Sequence, residues 1–361
     1  MKRGISTVRG FTLVELMVAV VLGLFLLIGL VSLLVSTVNS RNELDKTTRQ
    51  IDNGRYALKV LSENIQLAGF VGASASTAFA TVAPVGCPGN LADLGYAAQT
   101  SPGTSKVPYP VYRLGTAPAC IDHVVPGTAI LVVTRVSTAS VKVALAAAAE
   151  QYLQISTCAS DMLPFVAANG APASSFTLMQ KDCTSGNLAP LRRIVQQLYF
   201  VSSCNDCGTD TTPTLKVAEL QAGEMKVSSL VEGIENFQVD YGIDIDRNGS
   251  PDCYVSNPGI PGVVDPTVPA TTEIAPAVCP QTATPYDWSK ADVNWSNVMA
   301  VRVHVLARQL DASASWGGEE KRSYDMGLGA GTVGPFKDRY KRGVYSTVAR
   351  LYNASGQREL P

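Results

Sequence analysis

The chain has 361 residues, enough to bury a sizeable core beside an apolar anchor. Its 29 Lys and Arg against 30 Asp and Glu leave a net charge of −1, and only 16% of residues are charged, which gives no basis for a nucleic-acid or acidic-polymer partner. Eight cysteines, all beyond the N-terminal apolar run, lie in Gly-, Pro-, Ser- and Thr-rich sequence, a pattern that favours disulfides in an oxidising compartment.

Lys2, Arg3 and Arg9 precede a run from Leu16 to Val35 that carries no charge. Twenty residues at about 1.5 Å per helical residue span ~30 Å, the thickness of a hydrocarbon core. Basic residues ahead of the run, with Glu43, Asp45 and Asp52 beyond it, predict a cytoplasmic N-terminus and the remainder outside. A cleaved secretory signal would be shorter and end at a small-x-small site, and "STVNSRNELDK" offers no clear one. Leu44, Ile51, Leu58 and Ile65 then recur every seven residues, with Leu61 and Ala68 between the stripes. Because the first proline is Pro84, the pattern predicts one helix from Phe11 to Ala68, ended by "AGFVG".

One carboxylate, Glu15, stands near the start of the apolar run. At a helix centre in lipid a carboxylate costs about 2.5–3.5 kcal/mol, so Glu15 either reaches water at the edge marked by Arg9 and Gly10 or meets a cation. Cleavage between Gly10 and Phe11 would create such a cation, the new α-amine, which a staggered neighbouring copy could bring to Glu15.

After Gly72 the composition shifts to Ala, Ser, Thr, Gly and Pro, and helical periodicity stops. Thr128–Val136, Phe176–Gln180, Arg192–Ser202 and Thr214–Leu220 read as short strands separated by turn-formers. "EMKVSSLVEGIENFQVDYGID" reads as a short amphipathic segment followed by a strand, Phe237–Ile243. In "NVMAVRVHVLARQL", Met299, Val301, Val303 and Val305 alternate with Ala300, Arg302, His304 and Leu306, which predicts an antiparallel strand with one apolar and one mostly wet face. Irregular inserts at Thr81–Cys120 and Asp252–Ser289 read as surface loops pinned by cysteines. Of about 105 possible connectivities, the simplest pairs neighbours in chain order: Cys87 with Cys120, Cys158 with Cys183, Cys204 with Cys207 and Cys253 with Cys279.

Candidate chemistry is sparse. His123 lies in a loop and His304 faces outward on its strand, with nothing in the sequence to bring a nucleophile and an acid to either. The CxxC at Cys204 and Cys207 has neither a βαβ context nor a second CxxC, so it reads as a structural disulfide rather than a redox or zinc motif. In "DIDRNGSPD", Asp244, Asp246 and Asn248 alternate, Gly249 permits a sharp turn and Asp252 adds a fourth oxygen. The spacing suits calcium in an irregular site, because position twelve is Val255 where an EF-hand has Glu; without an ion it is a polar turn between strands. No other cofactor is suggested.

"RGFTLVELMVAVVLGLFLL" resembles the class III signal of type IV pilins and type II secretion pseudopilins, with Gly10 before the cut, Phe11 as new N-terminus and Glu15 at mature position five. The resemblance implies cleavage after Gly10 by a prepilin peptidase, methylation of the Phe11 amine, and use of Glu15 to align the subunit in a filament. "NGRYALKVLSENIQLAGFVG", "LVEGIENFQVDYGIDIDRNG" and "WSNVMAVRVHVLAR" resemble the PilW family of minor pilins, related to J-type pseudopilins, whereas Ala73–Lys226 matches only in general character.

Residues and resemblance together predict an α+β, pilin-like fold: a long N-terminal helix, membrane-spanning in its first half, packed on antiparallel β-sheet with room for two β-rich lobes. The expected parts are a leader, 1–10; a membrane or filament-core half-helix, 11–38; a soluble half-helix, 39–72; a first lobe with disulfide loops, 73–225; and a second with the calcium loop, 226–361. The implied role is that of a non-enzymatic minor pilin that primes or caps type IV pilus assembly and supports twitching motility. Its partners would be other minor pilins, the major pilin, a tip adhesin, the inner-membrane assembly platform and prepilin peptidase. It would sit in the inner membrane with its soluble domain periplasmic, then in a pilus at the cell surface. The rivals are a J-type pseudopilin of type II secretion and a pilin-anchored adhesin or binding module.

Overall fold

The computed structural model describes residues 12–73, 79–100, 104–259, 279, 286–313, 316 and 322–359. Helix α1, Leu13–Gln66, has 54 residues and at about 1.5 Å each runs ~80 Å. The chain divides into two units, Met1–Arg49 and Gln50–Pro361. In the first, the large side chains from Leu13 to Val38 are exposed, and the helix is long and apolar enough to cross a membrane. In the second, α1 buries Gln50, Gly54, Ala57, Leu61 and Ile65. That seam is displaced from the predicted heptad stripe, in which Ile51 and Leu58 are only partly buried. Small residues set it: Gly54 and Ala57 let the sheet approach the helix backbone, and a stripe drawn through large apolar residues passes them by. Gly69, at φ +73°, turns the chain after the helix and donates its N–H to the Thr134 carbonyl at 2.8 Å.

Strands β1 (Ala80–Val82) and β2 (Lys106–Pro108) form a short parallel pair. A seven-stranded sheet follows, built from β3 (Val111–Arg113), β4 (Leu131–Val136), β5 (Gln151–Ile155), β6 (Phe165–Asn169), β7 (Leu191–Ser202), β8 (Thr214–Gln221) and β9 (Glu224–Glu232). Its centre is β7, which pairs antiparallel with β4 over Ile194–Tyr199, with β5 over Leu191–Arg193 and with β8 over Gln197–Ser202. A second sheet has the order β11 (Cys253–Val255), β10 (Ile234–Ile243), β12 (Val298–Arg308), β15 (Arg342–Arg350), all antiparallel. Short helices α2 (Ala291–Ser296) and α3 (Tyr352–Ser355) flank it, and β13 (Tyr324–Asp325) with β14 (Thr332–Val333) makes a hairpin. The fold is therefore α+β, a long N-terminal helix on antiparallel sheets.

Two local expectations are corrected. The amphipathic segment after Glu224 is strand β9, paired along its length with β8. Phe176–Gln180 is not a strand but a single antiparallel bridge, Met179 to Leu188, beside which the buried Gln154 amide donates to the Leu178 and Ala189 carbonyls and accepts from the Leu178 N–H. The four disulfides are Cys87–Cys120, Cys158–Cys183, Cys204–Cys207 and Cys253–Cys279.

One core cluster takes residues from α1 (Ala57, Leu61, Ile65), from the first sheet (Val133, Tyr199, Val201, Val217) and from the second (Phe237, Val239, Val303, Val305). Burying each large apolar side chain contributes ~1.5–3 kcal/mol, so the joint between helix and sheets is held mainly by burial of apolar surface.

Candidate functional site

Gly10 and Phe11 lie outside the described residues; Glu15 lies within them. Thr12 precedes the helix, its backbone N–H and its hydroxyl both donate to Glu15 Oε2 at 3.0 Å, and the Glu15 N–H donates to Thr12 Oγ1 at 3.3 Å. This is a reciprocal capping box, satisfying amides that the first helical turn leaves without partners. Sequence reasoning missed it, although "TLVE" at Thr12–Glu15 is its signature. The only carboxylate between Thr12 and Val35 thus both caps the helix and presents negative charge at the head of a long apolar surface.

Within the second unit α1 is fixed by polar as well as apolar contacts. Gln50 Nε2 donates to the Ala307 carbonyl at 2.9 Å and Asn53 Nδ2 to the Glu232 carbonyl at 3.0 Å. Beneath this end of the sheet Arg342, its side chain fully buried, is gripped by two carboxylates. Nε and Nη2 reach Glu235 at 2.5 and 3.0 Å, Nη1 and Nη2 reach Asp338 at 2.7 and 2.6 Å, and the Phe336 ring covers the guanidinium at 3.8 Å. The Arg342 hydrogen bonds hold the Asp338 carboxyl below the usual carboxylate range; burial works against the Arg342 charge, but the bonds to Asp338 and Glu235 together outweigh it and raise Arg342.

The acidic loop after β10 brings the three carboxylates among its predicted ligands together. Carboxylate oxygens of Asp244, Asp246 and Asp252 lie within 4.8 Å of one another. Asn248 lies beside them, its Nδ2 donating to Asp246 Oδ2 at 2.9 Å and its side-chain oxygen accepting from the Ser250 N–H at 2.8 Å. Asp244, fully buried, accepts from the Asn248 and Gly249 amides and from Arg358 Nη1 at 2.9 Å. Arg358 in turn donates to Asn297 Oδ1 and the Ser296 carbonyl. Gly249 sits at φ +86°, where a Cβ would lie 2.8 Å from the Ser355 carbonyl oxygen. The donor set is the hard-oxygen type that suits calcium, and a cation here would compete with Arg358 for Asp244.

Comparison with known proteins adds two findings. The prokaryotic N-terminal methylation motif matches residues 5–31, spanning Gly10, Phe11 and Glu15. The family described as type IV pilus-assembly protein W, PilW, matches residues 198–353, from the end of β7 through the whole second sheet into α3. Over those residues the chain is similar to the PilW family, and at its N-terminus to the methylation-motif proteins. No curated protein and no solved structure matches it.

The PilW match therefore covers the sheet on which the soluble part of α1 packs, and the methylation motif covers the head of the same helix; together they mark α1 as a membrane anchor. Within the matched sheet, His304 departs from expectation. It is buried, not outward-facing, because β12 is a central strand and the Gly327–Leu328 segment covers its second face. His304 Nδ1 meets Ser346 Oγ at 2.9 Å and Nε2 meets Asp240 Oδ2 at 3.2 Å, across three adjacent strands. Serine, histidine and aspartate do converge here. Asp240 is fully buried and also accepts from the Leu328 N–H, so the row satisfies a buried carboxylate. A cavity of about 430 Å³, lined among others by Thr81, Tyr96, Asp292, Trp295, Gln357 and Arg358, lies elsewhere and does not include Ser346.

Proposed function

We propose that this chain is a minor pilin that primes or caps type IV pilus assembly. A prepilin peptidase cuts between Gly10 and Phe11 and methylates the new amine. α1 then leaves the inner membrane and packs laterally against other minor pilins and the major pilin, drawn by the assembly platform. The β-rich domain, periplasmic before assembly, caps the growing end near the pilus tip or presents a surface to a tip adhesin. Work is done by packing and register, not turnover, and twitching motility depends on it.

The observation that carries this reading is the combination at α1: a methylation motif at its head, an exposed apolar first half, and a second half locked into the sheets of a PilW match. Mass spectrometry of the mature N-terminus tests it. Methylated Phe11 is expected, and a start beyond Ser36 overturns the pilin reading. Deletion should abolish twitching; loss of protein secretion with twitching intact would transfer the chain to the J-type pseudopilins. The convergence of Asp244, Asp246 and Asp252 supports a second proposal, that the acidic loop takes calcium and stiffens the end of the matched sheet.

A further inference from the structure

Between β7 and β8 the chain turns through Cys204 and Cys207, whose disulfide lies against an unusual neighbour. Lys216, on β8, is only 8% exposed, and its ammonium lies 3.7 Å from Cys207 Sγ. Among the described residues Lys216 makes no ion pair within 4.0 Å, and a disulfide sulfur is a weak acceptor. The nearby Asp210 carboxylate accepts from the Asn205, Asp206 and Thr212 amides at 2.6–2.9 Å and makes no direct contact with the ammonium within 4.0 Å. The ammonium feels the Asp210 carboxylate only through space and touches only a weak acceptor, and opening the disulfide creates an anion at the adjacent atom.

Three further features prepare that atom. His123 reaches the pair, with a ring nitrogen and both sulfurs within 4.8 Å of one another, and its loop is tied there by the Ser203 N–H donating to the His123 carbonyl at 2.8 Å. Ser202 Oγ lies 3.6 Å from Cys204 Sγ and 3.8 Å from Cys207 Sγ. Asp210 holds the two residues between the cysteines by their amides, so the loop keeps its shape when the bond opens. Cys204 is 5% exposed, whereas Cys207 is only partly buried, which makes Cys207 the sulfur that a thiolate can reach.

We propose that Cys204–Cys207 is a thiol-exchange site, opened at Cys207 by a dithiol reductant of the oxidoreductase class and stabilised by Lys216. One thiolate of the dithiol attacks Cys207 Sγ, and the S–S electron pair leaves on Cys204, which takes a proton. The dithiol's second sulfur, deprotonated, attacks its own partner sulfur and expels Cys207 as a thiolate beside Lys216. The protein disulfide gains two electrons and the dithiol becomes a disulfide.

The test uses the purified full chain in detergent with dithiothreitol, acid-quenched at intervals, alkylated and peptide-mapped. Cys204 and Cys207 should be alkylated together and first, at least about tenfold faster than the other three pairs. Lys216→Met should slow that step by roughly tenfold while Lys216→Arg keeps most of the rate, since the charge and not the shape matters. Continued protection of the other six cysteines in both variants reports an intact fold. Earlier opening of any other pair in the unmutated chain overturns the proposal without recourse to variants, and so does a Lys216→Met rate equal to that of the unmutated chain.

Discussion

Gly54 on α1 and the ring of Tyr345 on β15 occupy one space: a Cβ at Gly54 would lie 2.4 Å from Tyr345 Cδ2 and 2.5 Å from Cε2. Glycine within a helix ordinarily costs ~1 kcal/mol relative to alanine, so its presence here is explained by the approach of the ring, not by helix formation. Gly54→Ala should therefore lower stability despite the gain in propensity, because overpacking costs about 1–3 kcal/mol. Thermal unfolding of the full chain in detergent checks this, and Gly54→Ala with Tyr345→Ala should lose less than the two single changes added together. An increase in melting temperature for Gly54→Ala alone would show that the ring yields freely.

Glu15 caps the helix, and the proposed function gives it a second task, setting register; two substitutions separate them. Glu15→Gln keeps an acceptor for the Thr12 bonds, whereas Glu15→Ala removes it, at a cost of ~1 kcal/mol in helix capping. If charge sets register with the Phe11 amine, both variants should be processed and both should be missing from sheared pili. Gly10→Val should instead leave uncut precursor in the membrane. Normal incorporation of Glu15→Gln would remove the ion pair from the assembly scheme.

Arg342 should be the most sensitive polar position. Arg342→Met strands Asp338 and leaves Glu235 only its 3.8 Å pair with Arg308, and because both carboxylates keep some access to water the loss should be about 2–3 kcal/mol, below the ~3–5 of fully buried pairs. The sign of the pH effect follows from the lowered Asp338 carboxyl. Its contribution is present above the unfolded value near ~3.9 and is lost as pH falls through the lower folded value, so the unmutated chain should weaken more steeply below about pH 4 than Asp338→Asn. Parallel acid-unfolding curves would contradict this.

The row Ser346–His304–Asp240 gives an asymmetric expectation. Ser346→Ala, on the exposed side, should leave pilus assembly and stability unchanged. Asp240→Ala leaves the Leu328 N–H and His304 Nε2 without their acceptor, at about 1–3 kcal/mol each. Loss of assembly on Ser346→Ala with an unaltered melting temperature would reopen a chemical role for the serine.

Calcium at millimolar concentration should raise the melting temperature of the full chain, and Asp246→Ala should abolish the rise. A melting temperature that does not respond leaves the loop as a turn closed by Arg358.

Much of this was legible in the sequence where the signal was local. The span of α1 follows from its apolar period and the late first proline; the capping box was equally local, four consecutive residues, and went unread. What was not legible depends on distant partners. The helix seam runs through Gly54 and Ala57, whose value appears only when Tyr345 arrives from β15. His304 looked wet because alternation on a strand says nothing about Gly327 and Leu328 covering its second face. Arg358 stands 114 residues from Asp244, and no spacing within "DIDRNGSPD" announces a guanidinium there.

The shared core has a consequence for how the soluble part behaves as an object. Tyr199 and Val217 of the first sheet, Phe237 and Val303 of the second, and Leu61 of α1 all lie in one cluster. The joint after Glu232 is accordingly no hinge: bending it would open that core to water. A molecule that lands on the first sheet is thereby indexed to the soluble end of α1, and the domain reports its orientation as a unit, like a key whose bit cannot turn against its shank.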